Sequence, residues 1–227
     1  MITFEHVSHS YGQRQVLSEI SLTLTEKRIG IIGANGSGKS TLARLCNGLI
    51  LPSEGTVSVG GHSTAHDLSI VRTMVGFVFK DPDLQIIMPT VEEDLAFSLR
   101  STQLSKVEKQ QTISQWLENY GLGSHHDHPA HLLSGGQKQL LAIAAILITN
   151  PQIVVFDEPT TLLDLKNKYT IMEVIASLNQ QVIVVTHDVD LLTDFDRVIL
   201  IDEGRVLEDD NPKKVIDRYR TLVNLRR

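Results

Sequence analysis

The stretch Ile29-Gly30-Ile31-Ile32-Gly33-Ala34-Asn35-Gly36-Ser37-Gly38-Lys39-Ser40-Thr41-Leu42 decides how the chain is read. Its first four residues are apolar and mostly β-branched, the texture of a strand buried on both faces. Gly33 to Ser40 then fits G-x-x-x-x-G-K-S/T, and Thr41 to Leu49 continues with a helical pattern. Strand, glycine-rich turn and helix in that order build a cradle for phosphate. Glycines let backbone N–H groups curl around oxygen atoms without side-chain clash, and the helix turns its positive end to the anion. The loop residues Asn35, Gly36, Ser37 and Gly38, with Thr41 just inside the helix, are expected to bind the phosphates. Lys39 is expected to reach the β- and γ-phosphates, and Ser40 to ligate Mg2+.

Outward from this loop, two more runs read as central parallel strands: Ile153-Val154-Val155-Phe156 and Val182-Ile183-Val184-Val185. Strand and helix patterns alternate, which predicts an α/β fold with a largely parallel sheet. Nearer the N-terminus, Ile2 to Val7, Leu22 to Leu24 and Thr56 to Val59 alternate apolar and polar residues, as half-exposed antiparallel strands do. The middle reads as helical. Thr90 with Glu93, Ser105 with Glu108 and Ser134 with Gln137 are capping-box pairs, the last opening a helix that runs through Leu140 to Ile148 and stops at Pro151. Asn211-Pro212 opens a final helix to about Leu222. The expected outline is one domain over residues 1–227, with a small β lobe and a helical insert at about 86–147.

Strand Ile153–Phe156 ends in Asp157-Glu158. Open α/β sheets place ligand chemistry at the carboxyl ends of their strands. Asp157 is expected to hold Mg2+, and Glu158 to act as general base on an attacking water. Composition limits the alternatives. The 227 residues are 41% hydrophobic and 21% charged, the balance of an ordinary globular chain. Cys46 is the single cysteine, so no intramolecular disulfide is possible. The longest apolar run, Leu140 to Ile148, is far short of the ~20 residues of a membrane span. Met1 to Ser10 does not read as a signal peptide. A net charge of −6 argues against nucleic acid as a partner. The Arg226-Arg227 pair reads as a solvated tail.

Leu133-Ser134-Gly135-Gly136-Gln137 resembles the signature of the ATP-binding cassette (ABC) family letter for letter, and it precedes Asp157 in the expected order. The resemblance implies a P-loop NTPase fold with a RecA-like core of parallel strands, a small antiparallel β lobe and a helical insert carrying the signature. It implies ATP and Mg2+ as cofactors, and ATP hydrolysis at the interface of two cassettes. Ser134, Gly135, Gly136 and Gln137 would then bind the γ-phosphate held by a second ATPase subunit, a homodimer being the simplest case. Tyr11 matches the aromatic that stacks on adenine, and His187 the switch histidine that contacts the γ-phosphate. Thr161-Leu162-Leu163-Asp164 matches the D-loop, with Asp164 crossing the interface or capping a helix. One position departs. The family has glutamine where this chain has Lys80, and a lysine neither ligates Mg2+ nor accepts a hydrogen bond. Charge sensing by Lys80, or an oxygen from Asp81 or Gln85, are the substitutes at hand.

Asp81-Pro82-Asp83-Leu84-Gln85 and Pro89-Thr90-Val91-Glu92-Glu93-Asp94-Leu95-Ala96-Phe97 are similar to the ATPases of energy-coupling-factor (ECF) importers. Asn35 to Leu45 with Asn47-Gly48-Leu49 is similar to the same group. Ile29 to Ala34, the non-glutamine Lys80, His128 to Leu133 and Thr160 to Leu165 resemble its biotin-transport branch, as does the absence of an added C-terminal dimerisation domain. This implies a peripheral subunit on the cytoplasmic face of the inner membrane. Its implied partners are a transmembrane coupling protein docked near Lys80 to Phe97, where Asp81, Asp83, Glu92, Glu93 and Asp94 make an acidic surface, and a small membrane subunit that binds the cargo. An ECF importer of cobalt, nickel or another vitamin, or a conventional ABC transporter, are the alternatives. DNA-repair and ribosome-associated cassettes fit less well, because the first carry a long coiled-coil insert and the second two cassettes per chain.

Overall fold

The computed structural model describes residues 1–161 and 163–225; Leu162 of the expected D-loop and the Arg226-Arg227 tail lie outside the described residues. The chain forms two compact units, the first made of Met1–Phe77, Gln152–Glu158 and Leu178–Arg227, the second of Val78–Pro151 and Pro159–Ser177.

The first unit opens with β1 (Ile2–Tyr11) and β2 (Arg14–Leu24), then β3 (Arg28–Ile32) and α1 (Lys39–Leu45). Strands β4 (Glu54–Val59) and β5 (His62–Ser63), helix α2 (Leu68–Met74) and β6 (Val75–Val78) follow. Strands β2-β1-β4-β5 form an antiparallel sheet. Here β1 is longer than the alternation to Val7 predicts. Its register shifts between Phe4 and Val7, with His6 at φ 48°, so Val7, Ser8 and His9 are all buried in succession. A bulge of this kind breaks the period-2 pattern without ending the strand.

The central sheet has the order β10-β9-β3-β8-β7-β6, with β7 at Ile153–Asp157, β8 at Gln181–Val185, β9 at Arg197–Asp202 and β10 at Arg205–Asp210. Strands β9, β3, β8 and β7 are parallel, and β10 is an antiparallel edge. The three predicted central runs are all buried, including Ile29, Ile31, Phe156 and Val182 to Val185. Burial on both faces is what their unbroken apolar texture requires. Helix α1 is displaced from the predicted span. It starts at Lys39, and it ends at Leu45 because the Asn47 side chain accepts from the Leu49 N–H and turns the chain instead. Helix α7 (Pro212–Leu225) closes the unit and runs three residues beyond Leu222, with Asn211 Oδ1 accepting from the Lys214 N–H as its cap.

In the second unit lie α3 (Val91–Ser98), α4 (Lys106–Asn119), α5 (Gly135–Leu147) and α6 (Leu165–Ser177). The three predicted capping boxes are formed, at Thr90, Ser105 and Ser134. Helices α3, α4 and α5 share a core of Val91, Leu95, Ile113, Leu117, Leu141 and Ala144. Their apolar residues recur at three- and four-residue spacing, so each helix buries one stripe.

Candidate active site

Between β3 and α1 the chain makes the tight loop predicted for phosphate. Gly33 sits at φ +152°, and a Cβ there would lie 2.0 Å from the Ile201 carbonyl oxygen and 2.7 Å from Ser37 Oγ, so only glycine fits. Asn35 and Gly36 are exposed at the tip, while Ser37, Gly38, Lys39 and Thr41 are buried. The Lys39 ammonium folds back over the loop and donates to the carbonyls of Gly33 and Ala34, at 2.9 Å each. Ser37 Oγ is buried and finds no hydrogen-bond partner among the described residues. Buried hydroxyls are nearly always paired, so an unmatched one beside a buried cation and a glycine cradle fits a polyphosphate. Tyr219 of α7 also touches this loop, its hydroxyl donating to the Gly33 carbonyl at 3.4 Å. Burial, and then the negative charge of Glu158, push that phenol above its ordinary pKa.

Asp157 closes the other side. Ser40 Oγ donates to Asp157 Oδ1 at 2.7 Å, which joins the two residues predicted to hold Mg2+. Burial pushes the Asp157 carboxyl above the usual carboxylate range. Its hydrogen bond from Ser40 and the nearby Arg44 and Lys39 offset this, and Glu158 adds to it. A buried carboxylate beside a hydroxyl oxygen is a hard donor set of the kind Mg2+ accepts, so the residues fit the ion.

Glu158 follows at φ 54°, a left-handed backbone that costs a non-glycine residue roughly 1–2 kcal/mol. Its amide is fixed to the Val185 carbonyl at 2.8 Å. The carboxylate is almost fully buried, and its Oε2 lies 2.7 Å from His187 Nδ1. The end of β7 and the loop after β8 therefore bring together the two residues named as base and switch. Strain of this kind clusters where a side chain must be aimed. Tyr11 lies at the end of β1, 48% exposed, with its ring edge-on to His9 at 4.7 Å between centroids. An exposed aromatic face of this kind is available for stacking.

The signature residues are in the second unit, at the start of α5. Ser134 Oγ accepts from the Gln137 N–H at 3.3 Å, and Gln137 Oε1 accepts from the Ser134 N–H at 2.9 Å. The first amides of the helix, Gly135 and Gly136, have no partner within the helix itself. Gly136 also matters for packing: a Cβ there would come within 2.3 Å of the Asn167 side chain, which would have to shift to admit it. Asn167 in turn gives its N–H to Asp164 Oδ1 at 2.8 Å and its Nδ2 to Oδ2 at 3.1 Å. Asp164 is thus the cap of α6, as one of its two expected roles had it. The sequence pointed to Asp164 and Gly136 but not to Asn167 between them. An asparagine three residues after a capping aspartate was the available clue. Nothing local points to Tyr219, which reaches Gly33 across 186 residues of chain.

The segment expected to be an acidic surface is largely committed internally. Asp94 is buried, and its Oδ1 accepts from the Ile87 and Met88 amides at 2.9 and 3.1 Å, so it is not part of the surface. Glu93 completes the Thr90 capping box, while Glu92 meets His126 and Gln110. Asp83 pairs with Lys138 at 2.7 Å. Of the two expected stand-ins for glutamine, Gln85 is engaged at both ends. Its Oε1 accepts from the Phe79 N–H at 3.1 Å and its Nε2 donates to the Ala142 carbonyl at 2.9 Å. Asp81 Oδ1 accepts from the Asp83 N–H. Lys80 is exposed. Beside these groups Leu84 and Ile87 are 74% and 67% exposed.

Residues 17–161 match the family model described as ABC transporter. The chain is 54% identical to a Deinococcus radiodurans protein provisionally described as an ABC transporter ATP-binding protein, over 97% of both chains. It is 44% identical to the biotin transport ATP-binding protein BioM of Rhizobium etli, covering 97% of this chain and 98% of that one. Energy-coupling factor transporter ATP-binding protein EcfA1 of Caldanaerobacter subterraneus is 39% identical over 98% of this chain and 84% of its own. Among solved structures, cbiO1 from Clostridium perfringens, part of the ABC transporter complex cbiONQ, superposes with a TM-score of 0.83 at 32% identity, covering 99% and 94% of the two chains. The dimeric, post-hydrolysis cassette MJ0796 bound to ADP and Pi gives 0.81 at 30% identity, covering 93% and 99%. With a phosphate cradle, an acidic strand end and a capped signature helix all in place, the chain belongs to the ABC transporter family and is one of its ATP-binding, Mg2+-dependent ATPases.

Proposed function

We propose that this chain is the ATPase subunit of an ECF-type importer, that it works as one half of a cassette dimer at the cytoplasmic face of the membrane, and that its cargo is a vitamin, biotin first. The observation that carries the transport class is the likeness to BioM and EcfA1 over nearly the whole length of the chain. The dimeric MJ0796 cassette supports the two-chain arrangement. No helix among the described residues is long and apolar enough to cross a membrane, so cargo would pass through partner subunits.

In this reading Tyr11 stacks on adenine. The amides of Asn35 to Gly38 and the Lys39 ammonium hold the phosphates, with Thr41 in the first turn of α1 beside them. Ser40 and Asp157 would hold Mg2+, which would supply positive charge to offset that of the phosphates. Glu158 accepts the proton of the attacking water, and the bond to His187 keeps its carboxylate aimed. Across the interface, Ser134 donates its hydroxyl proton, and Gly135 and Gly136 their amides, to the γ-phosphate bound by the other chain. Gln137 holds that donor set in shape, and Asp164 holds the start of α6 beside it. ATP thus draws two chains together, and hydrolysis lets them part. Membrane partners convert that cycle into cargo release.

The test is purification of the tagged chain from membranes, with mass identification of what accompanies it. A transmembrane coupling protein together with a small apolar subunit holding biotin is the expected result. The same proteins holding another vitamin, cobalt or nickel would overturn the cargo. A conventional permease pair would overturn the ECF assignment.

A further inference from the structure

We propose that His125 is a positioning residue of the signature helix: its neutral ring, with the proton on Nδ1, holds the Gln137 amide in the one orientation that keeps the Ser134 cap closed. The inference rests on the reading above, in which Ser134, Gly135 and Gly136 grip the γ-phosphate of a partner chain.

The two ends of a glutamine amide have the same shape, so their identity follows from their partners. One end of Gln137 lies 2.9 Å from the Ser134 N–H, a donor, and must be the oxygen. The other end is therefore the NH2 group, and it lies 3.2 Å from His125 Nε2. That ring nitrogen must present a lone pair. The ring proton is then on Nδ1, 3.1 Å from Ser124 Oγ. One directed chain results. His125 Nδ1–H donates to Ser124 Oγ, Gln137 Nε2 donates to His125 Nε2, and the Ser134 N–H donates to Gln137 Oε1. Back along the helix, the Gln137 N–H donates to Ser134 Oγ. The last bond occupies a lone pair of the Ser134 hydroxyl and leaves its proton free to donate outward.

Protonating His125 puts an N–H against the NH2 group of Gln137. The pair must then separate, or the amide must flip and take its oxygen from the Ser134 N–H. Either change loosens the cap and the donors it aims. The charged and titratable groups around His125 are the His128 ring, edge-on at 5.3 Å, and Asp127 on its own segment. On neighbouring elements they are Glu118 of α4, whose carboxylate lies against Gly123, Glu92 of α3, which is taken by His126 at 3.2 Å, and Lys138 of α5, which is taken by Asp83. Gln137 itself is uncharged, so no opposite charge on it offsets a proton on the ring.

The test uses the full chain in the Glu158→Gln background and reads ATP-dependent dimer formation by analytical ultracentrifugation. His125→Phe keeps a ring and removes the acceptor. His125→Gln restores an acceptor oxygen near the Nε2 position and does not titrate. His125→Phe is expected to raise the protein concentration needed for half-dimerisation roughly 3- to 10-fold, the worth of one hydrogen bond. Binding of a fluorescent ATP analogue to the single chain should stay unchanged, because those contacts come from the loop at 33–40. His125→Gln, which restores the acceptor, should recover dimerisation to the parent's level. Equal dimerisation of the Phe variant and the parent overturns the inference, as does a Gln variant that dimerises no better than the Phe variant. If Glu158→Gln alone fails to dimerise with ATP, the two-chain reading falls first and the inference falls with it.

Discussion

Glu158 combines a strained backbone, a buried carboxylate and a short contact with His187, which is costly unless the group has chemistry to perform. Glu158→Gln keeps the shape and removes the proposed base. Turnover is expected to fall roughly 10²- to 10⁴-fold, with ATP binding retained; a steady-state ATPase assay beside equilibrium nucleotide binding separates the two. Asp94 makes the opposite case, an acid whose work is structural. Burial holds its carboxyl above the ordinary range, against the lowering effect of the Ile87 and Met88 amides. The folded chain therefore holds that proton more tightly than the unfolded chain does. The sign follows: this group's contribution to stability is fully present below the ordinary aspartate value near pH 4, and it is lost as pH rises through the raised folded value. Asp94→Asn keeps an oxygen for both amides and removes the charge. Its denaturation midpoint is expected to equal or exceed the parent's at neutral pH, and the slope of stability with pH above about pH 4 should become shallower.

At the scale of elements, the signature helix is held to its neighbours by polar contacts that periodicity does not report. Gln85 joins Phe79 to the Ala142 carbonyl, and Asp83 joins Lys138, so the segment at 79–85 and α5 are stapled twice. Gln85→Leu removes two hydrogen bonds, and a loss of about 1–3 kcal/mol in urea unfolding is expected. The Asp83–Lys138 pair is largely solvent-facing on the aspartate side, with side-chain exposures of 63% and 16%, and a double-mutant cycle should give no more than about 1 kcal/mol. A second link runs from Asp164 through Asn167 to Gly136. Gly136→Ala keeps the helical backbone but drives a methyl into Asn167. ATPase activity should therefore fall even where circular dichroism shows the fold intact.

For the whole molecule, the proposed active centre shared between two chains would make rate a property of concentration. The ATPase rate is expected to rise more steeply than first order with protein in the low range, so that specific activity falls on dilution; a rate strictly proportional to protein would exclude the shared site. Much of this molecule was written locally. The loop at Gly33 to Ser40, the three apolar strand runs, the three capping boxes and the LSGGQ stretch are chemistry within a few residues of themselves, because strand texture, caps and phosphate loops depend on neighbours in the chain. What only the tertiary structure decided are the partners brought from a distance. Asp94 looked like surface acid because charge count says nothing about burial, and the fold turned it inward onto two amides. Gln85 looked available until α5 supplied its second partner. The continuation of β1 past Val7 was hidden by a bulge, which shifts the period without leaving a mark in composition. Tyr219 at Gly33 and His125 at Gln137 belong to the same class. A side chain's hydrogen-bond partner is fixed by which groups the fold brings within about 3 Å, and sequence separation carries no information about that.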